Sequence, residues 1–241
     1  MNPVDERPGA ILALWNDIAA ARIPEYDRWH TLEHVPERVW VPGFISGTRF
    51  VATGDTEVRY FTLYEMETLA SLESTPYRDL VDNPTPWSAS MRPSFSNFLR
   101  KTCEIEASSG VSLGAGIGIL RQVLPAPIPG TTLQAIAVQL LNDGASACVS
   151  HVRIARVMQA GPQAIRNVQD SPDGHEYLVL AQTADLDALS SLKALLAGAF
   201  ARLTPAPGHY SQYRFASRVL HRDVRQPQRP APRLGLMSGK A

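Results

Sequence analysis

The sequence predicts an α+β fold made of two tandem ferredoxin-like repeats, their sheets packed face to face within one chain. Three observations predict it. The first half carries elements in the order β-α-β-β-α-β, which is the ferredoxin-like unit. The second half repeats that order more faintly, and a Gly/Pro-rich stretch at residues 109–130 separates the two. The bulk numbers agree: 241 residues, 44% hydrophobic and 19% charged, is ordinary globular material for one large domain or two small ones.

Each element has a local reason. Residues 10–15 (AILALW) are a short apolar run ended by Asn16-Asp17, a strand with a polar exit. Pro24 opens a helix in the first-turn position that proline tolerates, with Glu25 and Asp27 near its positive end. Pro36 lacks an N–H and predicts a break or restart, and Pro42-Gly43 ends the helix. Residues 44–53 and 59–65 are β-rich runs joined as a hairpin through Gly54-Asp55. Helical stretches at 69–72 and 76–81 stop at Asn83-Pro84-Thr85-Pro86, and 95–105 is a further strand.

In the second half, 119–124 is either a strand or part of the connection. Residues 133–141 read as a strand ending in Asn142-Asp143, much as the first strand ends. Only 144–150 then remains for a first helix, too short and too small to match 24–40, so that helix reads as eroded. Residues 152–158 and 177–181 are strand-like, 186–203 is an amphipathic helix capped by Asp185 and stopped by Pro205 and Gly208, and 210–220 is the closing strand. The expected boundaries are therefore 1–108 for the first repeat, 109–130 for the connection and 131–221 for the second repeat. The Pro-rich tail 222–241, five basic residues against one acidic, reads as a flexible solvated end.

Charge and cysteines exclude several classes. Net charge is zero, so no global field recruits nucleic acid or an anionic membrane. Cys103 and Cys148 form no CxxC and read as reduced, half-buried residues. The first ten residues lack an apolar leader core, and no apolar run approaches the roughly 20 residues that cross a bilayer, so a cytoplasmic setting is expected.

The stretch WHTLEH contains His30, Glu33 and His34 in H-x-x-E-H spacing, the reversed zinc-protease signature. Its neighbours place it differently. WNDI, the block from Tyr26 through Phe50, YFTLYEME and residues 74–87 together resemble the bacterial EthD-like members of the dimeric α+β barrel superfamily. The block carries Trp29-His30, Glu33-His34, Glu37-Arg38, Pro42-Gly43-Phe44 and Arg49-Phe50, and the likeness covers residues 10–105. It implies an intrachain α+β barrel that is also able to form a homodimer. The superfamily includes muconolactone-type isomerases, polyketide cyclases, cofactor-free monooxygenases and haem-binding enzymes, so fold alone does not settle function. In such relatives the position of His30 is usually tyrosine, and only Glu33-His34 belongs to the motif. The zinc-like pattern is then an aromatic-slot substitution beside a family Glu-His, and no metal is expected.

His30, His34 and Arg38 follow i, i+4, i+8 spacing and share a helix face, while Glu33 and Glu37 lie on the adjacent face with Trp29. Imidazole takes and returns protons near neutrality, which makes His34 the first candidate acid/base, with His30 and Glu33 beside it. Glu33 would orient His34 or raise its pKa. Arg38 or Arg49 matches a substrate carboxylate through its guanidinium fork. Trp15, Asn16, Tyr26, Trp29, Trp40, Tyr64 and Trp87 supply walls and a polar contact. Plainer roles compete: Arg49 pairing with Glu65 across the hairpin, Trp87 as a packing anchor, His34 bonded to Glu37 or a carbonyl. Zinc would need a third ligand from Glu65, Glu104 or Glu106, which sit in or after strands. Haem would use His151 or His209, and Gly114-x-Gly116-x-Gly118 lacks the context of a dinucleotide loop.

The expectation is a cofactor-independent isomerase or lyase working by histidine acid/base chemistry. Its substrate would be a small unsaturated carboxylic acid from aromatic-compound catabolism. The alternatives are a non-catalytic small-molecule binder, or a cofactor-free monooxygenase or cyclase.

Overall fold

The computed structural model describes residues 7–167 and 174–237. The first six residues of the N-terminal reading and the last four of the tail lie outside them.

The first repeat runs β1 (Ala10–Ile18), α1 (Ile23–Trp29), α2 (Val35–Val39), β2 (Phe44–Ala52), β3 (Tyr60–Met66), α3 (Thr75–Asp82), α4 (Pro86–Met91) and β4 (Phe95–Gly110). The second runs β5 (Gly116–Leu124), α5 (Gly130–Asp143), β6 (Val149–Met158), β7 (His175–Thr183), α6 (Leu189–Phe200) and β8 (His209–Leu220). Two short helices follow, α7 (His221–Val224) and α8 (Leu234–Met237). The eight strands close into one antiparallel barrel in the order β1-β3-β2-β8-β5-β7-β6-β4. Each repeat contributes four neighbouring strands in ferredoxin-like order, and the seams β2–β8 and β4–β6 join them. Among the described residues closure leaves no sheet edge unpaired, which removes the main aggregation liability of β structure.

Strand alternation divides the packing. Ile11, Ala13, Trp15, Leu63, Ile119 and Leu180 point into the barrel. Ala10 and Leu12 point outward, under α2 and α3, with Val35, Val39 and Leu80. Over the second repeat, Leu133, Ala137 and Leu140 of α5 pack with Leu192 and Leu196 of α6.

Several expectations are corrected. Residues 133–141 lie in helix α5, because Leu133, Ala137 and Leu140 form a buried stripe at helical spacing. The first helix of the second repeat is therefore intact, and it precedes Asn142-Asp143. The stretch 109–130 is more than a connection, since Gly116–Leu124 forms β5, paired with both β7 and β8. The tail is not free where it is described: Arg229 holds Glu37 at 2.7 Å and Asp79 at 2.9 Å, and the Arg233 N–H donates to Glu33 at 2.6 Å.

Pro36 does not break its helix. The chain stays helical from Ile23 to Val39 through a π-helical turn, His30–His34, in which the Val35 N–H donates to the His30 carbonyl. This wider turn accommodates a ring that would clash with the preceding turn of a regular α-helix and cannot donate a hydrogen bond. No helix among the described residues is long and apolar enough to cross a membrane.

Candidate functional site

The π-turn presents its side chains to the outer face of β1 and β3. Between them lies a cavity of about 90 Å³, walled by Leu12, Leu14 and Asn16 of β1, Thr62 and Tyr64 of β3, and Trp29, His30, His34 and Arg38 of the helix. Tyr77, Arg92, Phe95, Phe98, Arg100 and residues 162–165 complete it. Of the side chains expected from sequence, the structure thus brings together His30, His34, Arg38, Trp29, Tyr64 and Asn16.

The rings form a stack. Trp29 lies 4.3 Å from His34 at 28°, His34 lies 5.4 Å from His30 at 23°, and His30 lies 4.9 Å from Tyr26 at 16°. Hydrogen bonds fix the outer members: the Trp29 indole donates to Ser88 Oγ at 3.2 Å, and the Tyr26 hydroxyl donates to Asn16 at 3.1 Å. Arg38 lies over the Tyr77 ring at 5.4 Å and donates one weak bond to the Leu80 carbonyl at 3.4 Å.

The electrostatics are unusual in one direction. Both histidines titrate well below the ordinary imidazole range. For His34 the causes are burial, then Arg38, Arg92 and Arg49; for His30 they are burial, then Arg49 and His34. At neutral pH both rings are therefore uncharged, each with one lone-pair nitrogen. Four buried polar atoms on these walls have no hydrogen-bond partner: His30 Nδ1, His34 Nδ1, Arg38 Nη1 and the Tyr64 hydroxyl. Native proteins leave few such atoms, and four around one cavity mark a place built to be filled. The arrangement offers a neutral base, cationic side chains and flat apolar walls to one small molecule.

The other expected residues sit elsewhere. Glu33 turns away from His34 and accepts from the Thr85 hydroxyl at 2.7 Å and the Arg233 N–H at 2.6 Å, so it neither orients His34 nor raises its pKa. Arg49 pairs with Asp27 at 3.0 Å, bonds the Thr31 hydroxyl and covers the Tyr26 ring. Its expected partner Glu65 is held instead by Arg153 and Arg218. Trp15 lies inside the barrel against Phe61. Tyr26 is fully buried behind His30. Trp40 donates to the Gln226 carbonyl of the tail at 2.9 Å. Trp87 is buried, with its indole on Glu25 at 3.0 Å.

Metal ligation finds little support in this donor set. The described residues hold no group of three His, Cys, Asp or Glu placed for a metal, and Glu104 and Glu106 pair with Arg156. His209 lines a space of about 130 Å³ together with Trp15, Arg121 and Tyr213. His151 has its Nε2 engaged by Ser108 Oγ at 3.0 Å. Sequence reading missed Arg92, Arg100, Tyr77, Phe95 and Phe98. For Arg92, Phe95, Phe98 and Arg100 the signal was the run of aromatic and basic residues after Asn83-Pro84, and Tyr77 lies in the 74–87 segment, but no spacing rule connects either to His34.

No family model matches the chain, and no curated protein does. Solved structures do. An anthrone oxidase-like protein aligns over 88% of this chain and 92% of its own, with TM-score 0.59 and 10% identity. A candidate monooxygenase from Lactobacillus acidophilus aligns over 88% and 97%, with TM-score 0.51 and 9% identity. A haem-binding protein from Thermus thermophilus aligns over 87% and 92%, with TM-score 0.51 and 10% identity. The chain has the tandem ferredoxin-like α+β barrel fold. At such identities the likeness is one of fold, and the narrower EthD-like resemblance rests on the sequence block alone.

Proposed function

We propose that the chain is a cofactor-independent proton-transfer enzyme, an isomerase or lyase, for a small planar unsaturated carboxylic acid of the kind that aromatic ring cleavage produces. One observation carries this reading: a neutral His34 with an unpartnered Nδ1 shares an aromatic-walled cavity with an unpartnered Arg38 nitrogen. The substrate carboxylate docks on Arg38, with Arg92 and Arg100 adding positive charge. His34 takes the proton from the carbon beside a lactone or keto carbonyl. The C–H electron pair moves into the carbonyl oxygen as an enolate, which the arginines stabilise. The imidazolium returns the proton at the far end of the conjugated system, and the double bond shifts. Binding the anion also offsets the arginine charges that depress His34, so the base strengthens only when substrate is present. The EthD-like block of residues 10–105 supports the same reading.

A second reading rests on the aromatic walls Trp29, Tyr77, Phe95 and Phe98, which suit a fused phenolic ring, and on the anthrone oxidase-like neighbour. There the same carbanion would react with dioxygen instead of a proton.

The deciding experiment incubates the protein with muconolactone-type and dienoate acids in D₂O, under air and under argon. Ultraviolet absorbance, deuterium uptake and oxygen consumption are followed. Deuterium uptake without oxygen consumption, lost by about 100-fold or more in His34→Asn, is the expected result. Oxygen-dependent turnover selects the second reading. Binding with no exchange in any substrate leaves a passive binder and ends the catalytic proposal.

A further inference from the structure

The barrel has a polar mouth on the side away from the His34 stack. Glu65 follows Leu63 in β3, Arg153 precedes Ala155 in β6, and Gln182 follows Leu180 in β7, so alternation turns all three into the barrel. With His151 and Arg218 they line a cavity of about 380 Å³ whose apolar wall is Ile45, Ile105, Val111 and Leu113.

Arg153 lies deepest, only 2% exposed, and donates to Glu65 Oε1 at 2.5 Å. Glu65 Oε2 accepts from Arg218 at 2.7 Å and from Ser46 Oγ. Burial pushes the Glu65 carboxyl up, but Arg153, Arg218 and the Ser46 bond outweigh it and hold the group below its ordinary range. Two guanidinium groups thus share one ionised carboxylate, and Arg7 lines the same cavity, so basic side chains outnumber acidic ones on its walls. His151 adds no charge of its own, because burial and Arg153 keep it neutral, with a pKa of about 4. Arg153 Nη2 is buried with no partner. A desolvated, charged donor without an acceptor is costly, and it marks a cavity that binds an acceptor. At the rim, Val111 is 92% exposed and Leu113 40% exposed, both apolar and both on the cavity wall.

We propose that this mouth is a second binding site, for a monocarboxylate with an apolar body. The carboxylate takes Arg153 Nη2. The chain or ring runs outward along Ile45 and Ile105 to Leu113 and Val111. A guanidinium fork suits a planar carboxylate. This site shares no residue with the His34 cavity, so it stands whether or not the catalytic reading does.

Octanoate is the probe, with octanol as the uncharged control and inorganic phosphate as the anion without a tail. Calorimetry gives affinity, and ¹⁵N spectra of the labelled protein give location. The expected result is saturable octanoate binding that moves the Arg153 Nε–H and Gln182 side-chain signals, with both controls weaker by about tenfold or more. Arg153→Lys keeps the charge and the Glu65 pair but loses the second guanidinium nitrogen. Leu113→Asp adds a repelling charge on an exposed loop that the fold does not need. Each should weaken octanoate by about tenfold, while His34→Ala leaves it unchanged. Equal binding of octanol or of phosphate, equal binding by Leu113→Asp, shifts confined to Trp29 and His34, or no saturable binding would each overturn the proposal.

Discussion

Glu33 and Arg233 stand 200 positions apart and are joined by a 2.6 Å hydrogen bond from the Arg233 backbone N–H to Glu33 Oε2. The Thr85 hydroxyl donates to the other oxygen at 2.7 Å. Arg229 reinforces the connection on Glu37 and on the Asn83 carbonyl, and Leu236 and Met237 pack against the cluster of Tyr26, Trp29 and Trp87. The tail is therefore a strap across the back of the helix that carries the histidines.

Glu33→Ala removes the acceptor of the buried Thr85 hydroxyl and of the Arg233 N–H. It should cost about 1–3 kcal/mol in urea denaturation and speed tryptic cleavage at Arg225 and Arg233. The pH profile of proton exchange should keep its shape, because Glu33 does not touch His34. A lost or displaced limb of that profile at unchanged stability would return Glu33 to the chemistry.

The depressed histidines make a pH prediction with a definite sign. His30 and His34 are neutral in the fold and titrate well below 6.5, whereas in the unfolded chain they protonate near 6.5. Below that value the unfolded state binds more protons, so stability is full above about pH 6.5 and falls as pH drops toward the depressed values, by on the order of 1 kcal/mol per pH unit for each histidine. Urea midpoints across this range should fall, and the double variant His30→Gln, His34→Gln should flatten the slope. Arg38→Gln or Arg92→Gln should raise the His34 pKa in an NMR titration, because each removes a positive charge that opposes protonation. An unmoved His34 titration in both variants would refute that electrostatic account.

The first repeat was legible because proline and glycine bound its elements and apolar residues alternate cleanly within them. Gly43, with φ +88°, ends the helical segment where Pro42-Gly43 announces it. The second repeat was harder for two physical reasons. Ile136 and Val138 fill helix positions outside the buried stripe of α5 and blur its period, so an apolar run passed for a strand. Gly116 and Gly118 resemble linker residues, yet they sit in β5 where neighbours come close: a Cβ at Gly116 would fall 2.8 Å from Leu186 and Leu189, and one at Gly118 2.7 Å from the Tyr210 hydroxyl. In the site, His30, His34 and Arg38 follow from helical spacing. Arg92, Arg100 and the aromatic walls do not, because tertiary folding brings them from another element. The tail looked solvated because its carboxylate partner Glu37 lies 192 positions upstream of Arg229, beyond any local charge pattern.

The seating of α2 on the sheet depends on the absence of one carbon. A Cβ at Gly47 of β2 would lie 2.7 Å from Val35 Cγ1, 2.8 Å from Val39 Cγ2 and 3.0 Å from Tyr64 Cδ1. Val35 and Val39 flank Arg38 on α2, and Tyr64 is itself a cavity wall. Gly47→Ala must therefore lift the helix or displace Tyr64, and overpacking of this kind costs about 1–3 kcal/mol. The Arg38 guanidinium moves with the helix, so KM for the carboxylate substrate should rise more than kcat falls, since His34 lies on the preceding turn. Gly198→Ala is the control. It sits in α6 with nothing within 4 Å of the added carbon, and there alanine should stabilise by about 1 kcal/mol through its helix propensity. Thermal unfolding of the two variants should move in opposite directions, and equal shifts would show that helix seating on β2 does not depend on Gly47.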